Sequence, residues 1–334
     1  MTDPAKVNTI AIGVIAYNEH NYLPDLLEDV LHQTFPKERT ELVLVDGKST
    51  DDTRSIMMAF QQKHANEYLR ISVLDNPKRN QPSGWNVVLG NYQADVIFRI
   101  DAHARLPEDF VEQNVKCIES GEYVCGGPRE NIIDEDTSWK QMLLAAEQSM
   151  FGSGIASYRN ETEERKYVNS LFHGAYRREV IEKVGNFNEQ LLRTEDNEYH
   201  YRVRQAGYKI CYDPKIHSSY QTRNSLKRML KQKYQNGFWI GKTIKKCPGC
   251  ISIFHLVPFG FVMAILAALV LMIFGIWWPI IALGIAYGAA DLLMTVTAII
   301  SMKKRGPCCL LLPILFFLLH TSYGVGTLFG LVSF

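Results

Sequence analysis

Polar side chains that could carry chemistry follow three short apolar runs in the first hundred residues of the chain. They are Tyr17, Asn18 and Glu19 after the first run, Asp46 at the end of the second, and Asp101 at the end of a later one. Asp101 and His103 stand two residues apart, so one carboxylate and one imidazole could reach the same divalent ion. Oxygen and imidazole ligands together suit Mn²⁺ or Mg²⁺ that holds a diphosphate. The alternative is a solvated aspartate in a surface turn, which a position directly after a buried strand disfavours.

Strands and helices alternate around these residues. The continuous apolar run Ile10–Ala16 is typical of a strand buried on both faces, and the apolar stripe of Leu23–Leu31 predicts a helix. Further strands are predicted over residues 41–45, 69–74 and 95–100, and a helix over residues 85–93. This alternation indicates a parallel α/β sheet with right-handed crossovers. Ligands of such sheets bind at the carboxyl ends of the strands, where we expect the polar residues named above.

The segment that follows the first strand argues against two common classes of nucleotide-binding enzyme. It contains neither the GxGxxG pattern of dinucleotide-binding proteins nor a P-loop. Both motifs use glycines to bring backbone amides close to phosphates, and nothing comparable is present after Ala16. The sequence therefore argues against a dehydrogenase or an ATPase of those types.

The net charge of +1 over 334 residues combines three regions of different composition. Residues 1–222 carry 34 acids and 25 bases, residues 223–250 carry eight bases and no acid, and residues 251–334 carry one acid and three bases. We therefore predict a soluble domain over 1–222, a basic segment over 223–250 and a membrane domain over 251–334.

The membrane domain contains three apolar segments, at about 251–278, 279–300 and 309–332. Each is long enough to span a bilayer, and the alternative of a buried helical hairpin would require a core too large for so short a chain. Basic residues precede the first segment and follow the second, at 303–305. The positive-inside rule then predicts a multi-pass protein of the cell membrane with a cytoplasmic N-terminal domain and an external C-terminus. The first residues show no signal-peptide pattern.

The basic segment predicts an amphipathic helix at the membrane surface. Apolar residues recur every three or four positions, with basic residues between them, from Leu226 to Phe238. Such a helix suits the surface of anionic membrane lipids. Nucleic-acid binding is the rival interpretation, but the acidic domain before it would repel phosphates.

Four short segments in order resemble family 2 of the inverting glycosyltransferases. They are Ala-Tyr-Asn-Glu at 16–19, Val-Asp-Gly-Lys-Ser-Thr-Asp at 45–51, Arg-Ile-Asp-Ala-His-Ala at 99–104 and Thr-Glu-Asp at 194–196. Membrane-bound exopolysaccharide glucosyltransferases of the succinoglycan type are especially similar, since their metal motif also reads Asp-Ala-His. The resemblance covers about residues 8–240. It implies an α/β fold, a GT-A nucleotide-sugar-binding domain with a mostly parallel sheet. The composition adds an amphipathic interfacial helix and three C-terminal transmembrane helices after this domain.

The resemblance also implies roles for matching residues. Contacts to the nucleotide sugar are expected from Tyr17, Asn18, Glu19, Asp46, Asn80, Gly84, Asn86 and Asp101. Metal ligands are expected to be Asp101, His103 and His217, with a core or surface histidine as the alternative for His217. Asp196 is the expected catalytic base, with Glu195 beside it in the site. The alternative is a pair of acids that merely stabilise the start of a helix.

A last pair of residues concerns the acceptor. Gln235 and Trp239 resemble the Gln-x-x-Arg-Trp acceptor motif of processive polysaccharide synthases, although Phe238 replaces the arginine. Trp239 could stack on an acceptor sugar or anchor the chain at the membrane interface.

These roles agree with the chemistry of sugar transfer. Displacement at an anomeric carbon needs a base for the attacking hydroxyl and neutralisation of the departing nucleoside diphosphate. We therefore predict a metal-dependent, inverting membrane glycosyltransferase that moves a sugar from a UDP-sugar to a polyprenyl-linked acceptor in exopolysaccharide, capsule or glycolipid biosynthesis. A processive polysaccharide synthase is one alternative, for which three spans are few. A non-catalytic sugar-nucleotide-binding accessory protein is another, but it would have no need of Asp196.

Overall fold

The chain folds into two compact units. The computed structural model describes residues 6–152, 164–222 and 225–333. The first unit comprises Met1–Glu130 and Ser157–Tyr220, and the second comprises Asn131–Ala156 and Gln221–Phe334. Residues 131–156 thus group with the C-terminal helices, whereas the boundaries predicted from composition assign them to the first domain. Their helix is held there by packing and by the hydrogen bond that Ser138 Oγ donates to the carbonyl of Arg305, at 3.2 Å.

The main sheet of the first unit is mostly parallel. Among the described residues its eight strands are β1 (Ile10–Ala16), β2 (Thr40–Asp46), β3 (Arg70–Asp75), β4 (Val96–Asp101), β6 (Val124–Gly126), β8 (Lys166–Tyr167), β9 (Gly174–Arg177) and β10 (Cys211–Tyr212). They lie in the order β3-β2-β1-β4-β9-β6-β10-β8. The first four pair in parallel, and β9 runs antiparallel to both β4 and β6. Three shorter strands are β5 (Ala104–Arg105), β7 (Arg129–Ile132) and β11 (Ser218–Gln221).

Helices cover both faces of this sheet. They are α1 (Leu23–Leu31), α2 (Thr53–His64), α3 (Gln81–Leu89), α4 (Phe110–Glu119), α6 (Arg178–Val184) and α7 (Glu195–Gln205). Successive side chains of a strand point to opposite faces. Accordingly Ile10, Ile12 and Val14 of β1 enter one buried apolar cluster, while Ala11 enters the other. The predicted α/β fold with a mostly parallel sheet is confirmed.

The second unit is helical. Its helices are α5 (Ser138–Gln148), α8 (Leu226–Lys246), α9 (Val257–Ile273), α10 (Trp278–Ser301) and α11 (Leu312–Val332). Within the described residues, three helical segments are long and apolar enough to cross a membrane: Ile253–Ile273, Trp278–Ser301 and Pro307–Val332. The three apolar segments predicted from the sequence are therefore confirmed as helices of membrane-spanning length and composition.

Helix α8 is amphipathic and packs closely along α11. A Cβ added at Gly237 would overlap the backbone of Tyr323, and one added at Gly330 would overlap the backbone of Phe238. Only glycine permits so close an approach of two helix backbones. The sequence predicts the helix itself, but its pairing with α11 comes from tertiary packing.

Candidate active site

The parallel register brings the predicted site residues of three strands to one edge of the sheet. Ala16 pairs with Asp46, and Ile15 pairs with Asp101. The carboxyl ends of β1, β2 and β4 therefore lie side by side. The polar residues that follow β1 emerge between the two aspartates, as is usual for ligand sites of open α/β sheets.

The loop after β1 is fastened to the loop after β2 by hydrogen bonds. Asn18 has a φ of +57°, a left-handed conformation that asparagine tolerates better than most residues. Its backbone N–H donates to Ser49 Oγ at 3.0 Å, and its side-chain oxygen accepts from the N–H of Thr50 at 2.8 Å. The N–H of Glu19 donates to Thr53 Oγ1 at 2.8 Å. Hydrogen bonds to the loop after β2 therefore fix the positions of Asn18 and Glu19 at this edge of the sheet.

Asp46 and Tyr17 have different surroundings at this edge. Asp46 is only 1% exposed, and both of its carboxylate oxygens lie 3.2 Å from the N–H of Ser49, which holds the turn after β2. Tyr17 is 49% exposed, so its ring is free to stack on a flat ligand group.

Asp101 and His103 flank the turn after β4. His103 Nδ1 lies 3.1 Å from Glu19 Oε1, but neither ring nitrogen has the alignment of a hydrogen bond, although both are buried. Buried imidazole nitrogens without hydrogen bonds fit a metal ligand, because burial has removed their hydrogen bonds to water. No three histidine, cysteine, aspartate or glutamate side chains in the described part of the chain are grouped to hold a metal. Metal binding by Asp101 and His103 stays a prediction.

His217 is not brought to this pair. Strand β11 pairs with β5 so that Tyr220 lies opposite Ala104, and the Tyr220 ring contacts His103 with 4.6 Å between centroids. His217 precedes β11, lies further along the chain from this contact, and is exposed. Its role as a metal ligand stays a prediction, which nothing in this register favours.

Glu195 and Asp196 open helix α7 but differ in exposure. Glu195 is 2% exposed and its Oε2 has no hydrogen-bond partner. Burial, and after it the charge of Asp196, raises the pKa of Glu195. Asp196 is half-buried, so its carboxylate is the one that an acceptor hydroxyl could reach. The two acids therefore differ in exposure, and the role of Asp196 as the base stays a prediction.

Three residues that are predicted to contact the nucleotide also hold helix α3 in place. Asn80 caps the helix, since its Oδ1 accepts from the N–H of Ser83 at 2.9 Å. A Cβ at Gly84 would lie 3.1 Å from Ile15 Cγ2, so this glycine lets α3 approach β1. Asn86 exchanges two hydrogen bonds with the backbone of Phe187, at 2.8 and 3.0 Å. Contacts from these residues to a nucleotide stay predictions.

The cap gives a first testable expectation. Asn80→Ala is expected to lower the free energy of unfolding by about 1 kcal/mol, because the first turn of α3 loses its side-chain acceptor. Thermal unfolding of the purified protein measures this change. Asn80→Asp keeps an acceptor oxygen and is the matched control, so an equal loss of stability in both variants would contradict the cap role. A higher donor KM in the aspartate variant, with stability retained, would support the nucleotide contact.

Buried cationic and imidazole side chains behind this edge were not predicted as site residues. Arg99 of β4 is 5% exposed. Burial opposes its charge, but Tyr176, Asp196, Glu195 and Asp101 together raise the pKa of Arg99. His173 bonds Ser218 through Nδ1 at 2.9 Å, and burial lowers the pKa of His173 to about 3. A charged residue inside the apolar strand Val96–Asp101 was the sequence signal for Arg99.

The predicted acceptor residues belong to the second unit. Gln235 and Trp239 are half-buried on α8, one helical turn apart. Lys242 Nζ lies 5.8 Å from the centre of the Trp239 ring. Their role in acceptor binding stays a prediction.

The class of protein follows from this fold and site. A mostly parallel sheet with aspartates at the carboxyl ends of β2 and β4, an antiparallel β9 and a carboxylate at the start of α7 defines a GT-A glycosyltransferase. Residues 11–185 match the family model of Glycosyl transferase family 2, and the chain belongs to this family. The resemblance found in the sequence is confirmed.

Similar proteins agree with this assignment. The chain is 30% identical to the dolichyl N-acetyl-alpha-D-glucosaminyl phosphate 3-beta-D-2,3-diacetamido-2,3-dideoxy-beta-D-glucuronosyltransferase of Methanococcus voltae, and the match covers 98% of each chain. It is 27% identical to the succinoglycan biosynthesis protein ExoA of Rhizobium meliloti, over 83% of this chain and 85% of ExoA. Among solved structures, the mannosyltransferase PcManGT from Pyrobaculum calidifontis, in complex with GDP-Man and Mn²⁺, has a TM-score of 0.62 at 16% identity. The match covers 98% of this chain and 88% of PcManGT.

Proposed function

We propose that this membrane glycosyltransferase transfers one sugar, with inversion, from a UDP-sugar to a polyprenyl-phosphate-linked acceptor. The half-buried Asp196 at the start of α7 carries the proposal, because it is the accessible member of an acidic pair in the unit that bears the strand-end aspartates. An inverting transfer needs one such carboxylate near the anomeric carbon and no covalent intermediate.

Asp101 and His103 would hold Mn²⁺ or Mg²⁺. The buried His103 nitrogens without hydrogen bonds support this role. When bound, the ion neutralises the charge that develops on the departing nucleoside diphosphate. The Mn²⁺ named with PcManGT agrees with this choice without deciding between the two metals.

Side chains of the protein carry out the other steps of the proposed transfer. Asp196 accepts the proton of the acceptor hydroxyl as that oxygen attacks the sugar. Tyr17 offers an exposed ring to the flat base of the nucleotide. Asp46 shapes the pocket wall through the turn that its carboxylate holds, and its contact to the nucleoside is part of this proposal. The hydrogen bonds of Asn18 keep both loops in place, so that little ordering is needed when the donor binds.

The acceptor proposal rests on the relatives and on the apolar helices. The Methanococcus enzyme is named for a dolichyl-linked sugar phosphate acceptor, and that relative matches the present chain along nearly its whole length. A lipid-linked acceptor presents its hydroxyl at a membrane surface. The three apolar helices would keep the catalytic unit at that surface, on the cytoplasmic side, and the basic residues of α8 would attract anionic lipids.

A panel of donors tests the proposed function. Purified protein in detergent is incubated with UDP-glucose, UDP-N-acetylglucosamine, UDP-glucuronate or GDP-mannose, with and without a polyprenyl phosphate that carries one N-acetylglucosamine. We expect release of UDP from one of the uridine donors, dependent on the acceptor, and a product longer by one sugar with inverted anomeric configuration. A polymeric product would favour the processive synthase, and binding of donor without any transfer would favour the accessory protein.

A further inference from the structure

Arg99 is paired with a glycine in each of its two neighbouring strands. Its partner on β1 is Gly13, and its partner on β9 is Gly174. A Cβ at Gly13 would lie 2.5 Å from Val88 Cγ1, and one at Gly174 would lie 3.0 Å from Tyr176 Oη. Side chains from α3 and β9 therefore fill the space beside the arginine, and a larger residue in either strand would displace them.

Aromatic rings surround the guanidinium. Its central carbon lies 5.4 Å from the centre of the Trp85 ring and 5.8 Å from that of Phe187. Its Nη1 is buried without a hydrogen-bond partner. A buried cation destabilises the fold unless nearby charges or rings compensate for its lost hydration. Methionine is also long and unbranched and would fill much of the same space without this cost. We therefore look for a function of the positive charge of Arg99.

The compensating charges are the acids of the proposed site. Arg99 interacts electrostatically with Asp196, Glu195 and Asp101. Carboxylates that interact electrostatically repel one another and repel a diphosphate, so a buried cation that interacts with all three offsets this repulsion. In the first unit, Arg99 is thus a charge shared between the end of β4 and the start of α7.

Helix α7 is anchored so that its first turn stays within reach of this charge. His200 has no exposed surface, and its Nε2 lies 2.7 Å from Tyr176 Oη, while its Nδ1 lies 3.0 Å from Ser170 Oγ. The rings of Tyr199 and Phe187 stack with 4.1 Å between centroids. These contacts fix the second turn of α7 against β9 and the segment of Phe187, the same elements that surround Arg99.

We propose that Arg99 is a positioning residue for the sugar transfer. Its buried charge attracts the Asp196 carboxylate at the start of α7 and offsets the repulsion among the three acids. The inference rests on the proposed role of Asp196 as the base. Arg99 touches neither donor nor acceptor in this role, so its loss acts on turnover more than on substrate binding.

Two variants separate the effect of the charge of Arg99 from the effect of its size. Arg99→Met is expected to lower kcat by about 100-fold, because the acids of the proposed site lose the buried cation that offsets their repulsion, while the donor KM and the Kd for UDP change by less than about threefold. Arg99→Lys keeps a cation and should retain kcat within about tenfold of wild type. Arg178→Met is the matched control. Arg178 also lies over an aromatic ring, that of Tyr92, but near the opposite end of β4. The kcat of this variant should stay near that of wild type.

Several results would overturn the proposal. They are an unchanged kcat in Arg99→Met, equal losses in the methionine and lysine variants, and a rise in donor KM that matches the loss in kcat.

If thermal unfolding shows that Arg99→Met does not fold, the comparison is made between Arg99→Lys and Arg99→Gln with the same expectations. Adding Arg99→Met to Asp196→Asn should cost less than about threefold further, because the arginine acts through that carboxylate. Full activity of Asp196→Asn alone would instead refute the proposed function, whatever Arg99 does.

Discussion

Asp196→Asn is expected to reduce kcat for sugar transfer by about 1,000-fold, within the range that general bases contribute to enzymatic rates. The amide keeps the size of the side chain but cannot take the proton of the acceptor hydroxyl. Binding of UDP in the presence of Mn²⁺ should stay within about threefold of wild type, because the nucleotide and metal contacts are proposed at the strand ends. Initial rates of UDP release and calorimetric titration with UDP measure the two quantities.

The control for Asp196→Asn tests the alternative that this acid only stabilises a helix start. Glu179 lies in the first turn of α6 and is exposed. Glu179→Gln removes a carboxylate from an equivalent helical position, and we expect its kcat to match that of wild type. If both variants lost the same small fraction of activity, Asp196 would be a helix-dipole acid and another residue would have to serve as base.

Much of the fold could be predicted because its strands are apolar on both faces. The run Ile10–Ala16 is a strand with the predicted bounds, since almost every side chain in it is buried. Helix α3 is different, because the pattern around Trp85 predicts 85–93 while the helix spans Gln81–Leu89. Asn80 and Pro82 suggest a loop when only composition is considered, yet they are a cap and a first-turn proline.

The site residues at the strand ends could be predicted from the sequence, whereas the buried residues behind them could not. Parallel pairing alone brings Asp46 and Asp101 to one edge, so their proximity follows from the alternation of elements. The surroundings of Arg99 depend on Phe187, which is far from it in the chain, and on two glycines in neighbouring strands. The position of His217 depends likewise on the antiparallel register of β11. Local spacing carries no information about such contacts between distant segments.

Asp101→Asn is expected to have the second large effect, and it tests the proposed metal role directly. The amide loses the charge that a hard divalent cation prefers. We expect the affinity for Mn²⁺ in the presence of UDP to fall by about tenfold or more, within the range reported for altered metal sites, and kcat to fall by about 100-fold. Paramagnetic resonance of free Mn²⁺ measures the affinity without relying on activity.

Two matched variants make the metal test specific. Asp75 ends β3 opposite Asp46 at the same edge of the sheet, but its side chain is 56% exposed and pairs with Arg54. Asp75→Asn should therefore keep its Mn²⁺ affinity, which excludes a general effect of removing one acid from this edge. His103→Ala and His217→Ala then compare the two histidines. Loss of affinity in the first alone would agree with the register of β11, since that register places Tyr220 and not His217 beside His103. Equal affinity in Asp101→Asn and wild type would remove the metal from the proposed mechanism and leave Arg99 as the cation closest in sequence to Asp101.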